Sequence, residues 1–120
     1  MSDHEAYDLF QRGLSLIAER HWAQATVPLE KAKRLEPDKT SIREALGRAY
    51  FRSGRYRNAA SEFSAMVEHN PANDYAHFCL GRSLEKLGDK RAASRHMSLA
   101  VGLRPDRSDY RLYRDRLKAA

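Results

Sequence analysis

The sequence predicts an all-α protein, and three observations carry that prediction. Apolar residues recur at helical spacing in short runs divided by turns. No stretch alternates apolar and polar residues as a strand would. The pattern also repeats every 34 residues: Gly13, Gly47 and Gly81, then Ala25, Ala59 and Ala93, then Pro37, Pro71 and Pro105 share that spacing. Leu16, Tyr50 and Leu84 hold the same register, as do Leu29, Phe63 and Met97. Ladders that coincide at one period define three repeats, 6–39, 40–73 and 74–107, beginning at Ala6, Thr40 and Asp74, with a further helix at 108–118. All four belong to one domain spanning 1–120.

Each repeat holds two helices. In the second and third repeats the turn between them is "SGRY" or "LGDK", where Gly54 and Gly88 suit a positive φ after a helix end. Arg20 stands at the equivalent place in the first repeat, a less typical turn. Each repeat closes on proline and a polar residue, "EPD", "NPAN" and "RPD". Proline cannot continue a helix interior, and Asp38, Asn73 and Asp106 are candidates to cap the next helix. Pro28 lies inside the second helix of the first repeat, so that helix is expected to bend there or begin late. Gly13, Gly47 and Gly81 are expected to face Ala25, Ala59 and Ala93, letting paired helices approach closely.

These residues resemble the tetratricopeptide repeat, whose pattern W-x2-L-G-x2-Y…A-x3-F…A…P spans 34 residues. The second repeat matches at Leu46, Gly47, Tyr50, Ala59, Phe63 and Pro71; the third at Leu80, Gly81, Ala93, Ala100 and Pro105. The first keeps Gly13, Ala25, Ala32 and Pro37. Every repeat lacks the initial tryptophan; Leu9, Arg43 and His77 stand there. The resemblance implies a right-handed superhelical α-solenoid of three helix–turn–helix units closed by a C-terminal capping helix. It also implies a concave wall built from the first helix of each repeat.

Stacking requires one stripe of each first helix to be buried. Ile42, Leu46 and Ala49 form it in the second repeat, and Ala76, Leu80, Ser83 and Leu87 in the third. The first repeat carries Asp8, Arg12, Ser15 and Glu19 there, all polar. In the last helix Tyr110 and Leu117 face back, while Arg111, Asp115 and Lys118 face away. Both ends read as closed, hence a monomer.

The resemblance assigns Tyr7, Phe10, Leu14 and Ile17 to the inner wall from the first repeat. The second supplies Arg48, Phe51 and Arg52, beside Glu44; the third supplies Tyr75, Phe78, Arg82 and Lys86, beside Cys79. The cap adds Tyr113 and Arg116, next to Leu112. Arg48, Arg82 and Arg116 occupy one register position and are expected to form a ladder spaced about 10 Å apart. Guanidinium groups favour carboxylate or phosphate partners. Glu44, Glu85 and Asp109 lie near enough in register to pair with the ladder internally. Some family members clamp a C-terminal carboxylate with lysine and asparagine at the positions of Phe10 and Leu14, so that mode is not expected here. The expected partner is a protein or peptide segment, extended or helical, apolar at one end of the groove and acidic at the other.

Net charge is +6, and arginines alternate with rings at Arg48, Tyr50, Phe51, Arg52, Arg55, Tyr56 and Arg57, so a nucleic-acid partner is the rival reading. The repeat register weakens it by sending Tyr50 and Tyr56 into the hairpin interior and leaving only Phe51 outward. Asp106, Asp109 and Asp115 interleave with the arginines of the last helix. A structural subunit of a larger assembly is a third reading. Chemistry is not expected: Cys79 has His77 two residues away on another face, and His4, His21, His69 and His96 show no ligand spacing. No phosphate loop or dinucleotide fingerprint occurs, so neither enzyme activity nor a cofactor or metal is expected. The lone cysteine points to a reducing cytoplasm, and no run of about 18 apolar residues suggests a membrane span.

Overall fold

The computed structural model describes residues 3–119. Among them are seven helices and no strand: α1 (Asp3–Ala18), α2 (Trp22–Leu35), α3 (Thr40–Arg52), α4 (Tyr56–His69), α5 (Asp74–Lys86), α6 (Lys90–Leu103) and α7 (Ser108–Ala119). The helices belong to two compact units, one ending at Glu62 and the other beginning at Phe63, so the boundary falls inside α4.

In the first unit α1 packs on α2, and α3 packs on both. Ala6, Ile17, Ala25, Leu29, Ala32, Ile42, Leu46 and Ala49 are buried there, which includes the whole expected stripe of α3. The polar stripe of α1 (Asp8, Arg12, Ser15, Glu19) is exposed. Gly13 is pressed by Leu29, whose Cγ stands 2.4 Å from where a Cβ would lie, so the close approach falls one turn beyond Ala25. The turn after α1 closes with Arg20 itself at φ +65°, the left-handed conformation that Gly54 and Gly88 adopt at +83° and +88°. Pro28 does not delay α2: the helix starts at Trp22 and carries Pro28 buried in its interior. It lacks one backbone donor there, the one that would reach the Gln24 carbonyl; one residue earlier, the Thr26 hydroxyl donates to the Ala23 carbonyl at 2.6 Å.

In the second unit α5 packs on α6, and α6 on α7. Phe63, Met66, Ala76, Leu80, Ala93, Met97, Ala100, Tyr110 and Leu117 are buried. Arg111, Asp115 and Lys118 on α7 are exposed, as expected of a capping helix. Leu87, assigned to the buried stripe, is 40% exposed because α5 has ended at Lys86.

Helix caps depart from expectation by a single residue. Asn73 accepts from the Ala76 N–H at 3.0 Å and caps α5. The same register position before α3 is Lys39, which gives no side-chain cap, so Asp38 stands one residue too early. Asp106 is likewise one residue early, and its carboxylate accepts two bonds from Arg104 instead. Asp89 caps α6 through the Ala92 N–H at 3.1 Å.

A side chain at the former tryptophan position fastens each repeat junction. Arg43 donates to the Pro37 carbonyl at 3.0 Å, His77 Nε2 to the Pro71 carbonyl at 2.8 Å, and Arg111 to the Pro105 carbonyl. These carbonyls follow helix ends and have no helical donor of their own.

Candidate functional site

The assigned wall residues collect in two places. In the first unit, Tyr7 and Phe10, three residues apart on α1, line a cleft of about 380 Å³ with Ala6, Ile42, Ser41, Glu36 and Lys39. Tyr7 is 60% exposed, and the rim carries a Lys39–Glu36 ion pair at 3.7 Å. Leu14 is half-buried, whereas Ile17, at 8% exposure, belongs mainly to the core. Arg48 is half-buried on α3. Arg52 stacks its guanidinium 4.7 Å from the ring centre of Trp22 on α2. Phe51 is turned partly inward, its ring meeting Tyr56 edge-on at 5.2 Å across the turn between α3 and α4.

The second unit holds a denser cluster. Tyr75, Phe78 and Arg82 fall on one face of α5, while Tyr110, Tyr113 and Arg116 fall on one face of α7. Phe78 stacks on Tyr110 at 4.6 Å, meets Tyr113 edge-on at 5.2 Å and lies 6.4 Å from Tyr75. Arg82 lies over Tyr113 at 5.0 Å, and Arg116 over the same ring at 4.5 Å. Two guanidinium groups therefore share one phenol ring. Arg116 also donates to Glu85 at 2.9 Å, so that member of the proposed ladder is internally paired, as the register allowed. Lys86 is exposed one residue beyond Glu85. Phe78 is 7% exposed and nearly covered; Arg82, Tyr113 and Arg116 form the accessible part.

Tyr110 anchors this cluster. Its hydroxyl donates to Asp74 at 2.7 Å, and burial, then that carboxylate, raises its pKa above the ordinary phenol value. Elsewhere near α7, Arg104 pairs with Asp106 and holds its carboxyl down to about 2, while Arg107 pairs with Asp109 and Arg114 with Asp115. Asp109 thus pairs with Arg107 and not with the ladder.

Three contacts escaped the sequence reading. Trp22 beneath Arg52 lies on the second helix of the preceding repeat, 30 residues away in the chain. Tyr110 was seen as packing only, yet it carries Phe78. His77 and His96, read separately, stack with ring centres 5.3 Å apart and Nδ1 atoms at 3.1 Å. The signal for this last pair was available: Arg43 and Glu62 have the same 19-residue separation one repeat earlier and bond at 2.9 Å. Cys79 is buried, and no group of three or more histidine, cysteine or acidic side chains suited to a metal occurs among the described residues. Nor is any helix among them long and apolar enough to cross a membrane.

Solved structures share this architecture. MamA residues 41 to the end from Desulfovibrio magneticus RS-1 superposes with a TM-score of 0.92 at 20% identity, covering 98% of this chain and 66% of that one. This chain therefore spans slightly less than two thirds of that structure. The first tetratricopeptide domain of Spaghetti (RPAP3), bound to the HSP90 peptide SRMEEVD, gives 0.91 at 17% identity over 99% and 94% of the two chains. The Arabidopsis OM64 tetratricopeptide domain gives 0.89 at 16% identity over 97% and 96%. The fold is thus an all-α solenoid of the tetratricopeptide type. No curated protein matches the chain. The family model for the bacterial transcriptional activator domain matches residues 2–101, from α1 through most of α6, and the chain belongs to that family.

Proposed function

We propose that this chain is a non-catalytic protein-interaction scaffold, cytoplasmic and monomeric by itself, that binds a peptide or helix of a partner protein. The partner segment combines acidic and apolar side chains. The observation that carries this reading is the α5–α7 surface, where Arg82 and Arg116 bracket Tyr113 above buried Phe78 and Tyr110. Arg82, Lys86 and Arg116 bring cationic groups to this surface beside two carboxylates, Glu85, which Arg116 binds, and Asp74, which accepts from Tyr110. Guanidinium forks of this kind favour a carboxylate ligand. The α1–α3 cleft offers a separate seat for an apolar side chain, with Tyr7 and Phe10 as its walls. The HSP90 peptide held by the Spaghetti domain is an acidic segment on this fold, which agrees with the reading. The family name suggests that such a scaffold serves a bacterial transcriptional activator by contacting protein. The acid partners of Arg104, Arg107, Arg114 and Arg116 weigh against the rival in which α7 contacts nucleic acid.

Panning the full chain against a displayed peptide library tests the proposal. Enriched peptides should join carboxylates to aromatic or aliphatic residues. Arg82→Glu should weaken the best peptide at least tenfold, Phe10→Ala should weaken peptides with an apolar anchor, and circular dichroism should stay unchanged. Binding indifferent to both substitutions would overturn the assignment. Oligonucleotide binding that falls steeply between two salt concentrations would favour the rival.

A further inference from the structure

Where the first unit holds an ion pair, the second holds two imidazoles, and the chemistry of their hydrogen bonds restricts how many protons they accept. His77 is buried, and its Nε2 lies 2.8 Å from the Pro71 carbonyl oxygen. A carbonyl only accepts, so Nε2 carries the hydrogen. In neutral His77 the other nitrogen, Nδ1, then has only a lone pair. It faces His96 Nδ1 at 3.1 Å, so His96 must donate from Nδ1. The neutral pair is thereby defined: His77 with hydrogen on Nε2, His96 with hydrogen on Nδ1.

One added proton fits this arrangement. It goes to His96 Nε2, and the Nδ1–H···Nδ1 bond persists with a charged donor. A second proton does not fit. It can go only to His77 Nδ1, where two N–H groups would oppose each other across 3.1 Å and two cations would stack with ring centres at 5.3 Å. We propose that His77 and His96 form a proton-sensitive latch, which fastens α6 to α5 and to the Pro71 junction at neutral pH and releases once both rings are protonated.

The surroundings reinforce this. On α6, Arg95 adjoins His96; burial first, then His77 and Arg95, hold the His96 pKa below its ordinary value. From the end of α4, Val67 stands where Lys33 reaches Glu62 one repeat earlier, and Glu68 and His69 are exposed. On α5, Asp74 accepts from Tyr110, and on α7, Arg111 donates to the Pro105 carbonyl. No ion pair joins either imidazole to a carboxylate among the described residues. A folded-state pKa that is lowered gives stability present above the unfolded value near 6.5 and lost as pH falls below it.

The test compares urea unfolding of the full chain with that of the double variant His77→Arg/His96→Glu, which copies the Arg43–Glu62 pair. Between pH 7.5 and 5.5 the wild-type unfolding constant should rise at least about tenfold more than the variant's, the factor expected when one proton is excluded from the fold at one pH unit below its ordinary pKa, with the lowered His96 pKa adding to it. Equal pH dependence in the two proteins would overturn the latch. A second measurement needs no variant: ring ¹⁵N shifts of the wild-type chain at pH 7.5 should show hydrogen on His77 Nε2 and on His96 Nδ1. Hydrogen on His96 Nε2 at that pH would also overturn it.

Discussion

Replacing Gly13 by alanine probes the contact that sets the spacing of the first hairpin. A methyl group at this position would lie 2.4 Å from Leu29 Cγ, 2.5 Å from its Cδ2 and 3.1 Å from its Cδ1. Leu29 has no exposed surface, and the nearest atom is its branching carbon, so rotating a chain end does not relieve the clash. Either α1 and α2 part or Leu29 leaves its rotamer, at a cost of about 1–3 kcal/mol and here near the upper end. Against this, alanine gains about 1 kcal/mol over glycine in a helix interior. The balance is a net loss of about 1–2 kcal/mol. At Gly81 the same methyl meets the mobile Met97 Cε at 3.1 Å and the Ala93 carbonyl at 3.2 Å, so cost and gain should nearly cancel. At exposed Gly102 nothing lies within 4 Å, and alanine should stabilise by about 0.5 kcal/mol. Urea unfolding followed by far-UV circular dichroism and by Trp22 fluorescence reads all three; Trp22 shares α2 with Leu29. With a slope of about 2 kcal/mol/M, the Gly13→Ala midpoint should fall by about 0.5–1 M. A midpoint that rises for Gly13→Ala as it does for Gly102→Ala would refute the close approach of α1 and α2.

Two other outcomes follow from the backbone and from the buried phenols. Arg20→Gly places the residue suited to φ +65° where Gly54 and Gly88 already stand, and should raise stability by about 0.5–1 kcal/mol, seen as a higher Tm; an unchanged or lower Tm would show that no strain resides there. Burial and then the partner carboxylates, Glu30 and Asp74, raise the pKa values of Tyr50 and Tyr110, so their contribution is complete below about pH 10 and lost as pH rises above it. Tyr50→Phe/Tyr110→Phe should cost about 1 kcal/mol per lost hydrogen bond at pH 7 and fall less between pH 9 and 11 than the wild type, a difference that urea unfolding at the two pH values measures.

Periodicity made the fold legible because its causes are local and recur. Gly13 and Gly81 are small because a second helix presses on each, and Gly54 and Gly88 turn the chain where a side chain would be strained. Each such requirement leaves one residue type at one spacing. The caps were less legible because they depend on single-residue register: Asn73, two residues after Pro71, caps, and Asp38, directly after Pro37, does not. The α5–α7 cluster was partly legible. Phe78, Arg82, Tyr113 and Arg116 were assigned to one wall from repeat positions, and they do converge in the second unit. That Arg116 binds Glu85 and Arg52 lies over Trp22 depends on side-chain reach between helices, which register alone does not specify.

The repeat equivalences carry a further consequence. Arg43, His77 and Arg111 all donate to a proline carbonyl, so at these three junctions arginine and histidine serve alike, whereas Leu9 holds the same slot in the first repeat. Its 19-residue partner is not so constrained: Glu62 fills that place in the first unit and His96 in the second. Guanidinium and carboxylate bond as donor and acceptor of opposite charge, whereas two imidazoles facing through Nδ1 share a single hydrogen, and only the second arrangement has the proton dependence proposed above. Geometry is inherited by every repeat, but sensitivity to the medium is a property of individual ones. What distinguishes this solenoid should therefore be sought where register-equivalent residues differ, at His77–His96 and at the Phe78–Tyr113 cluster, and not in the ladders that define its fold.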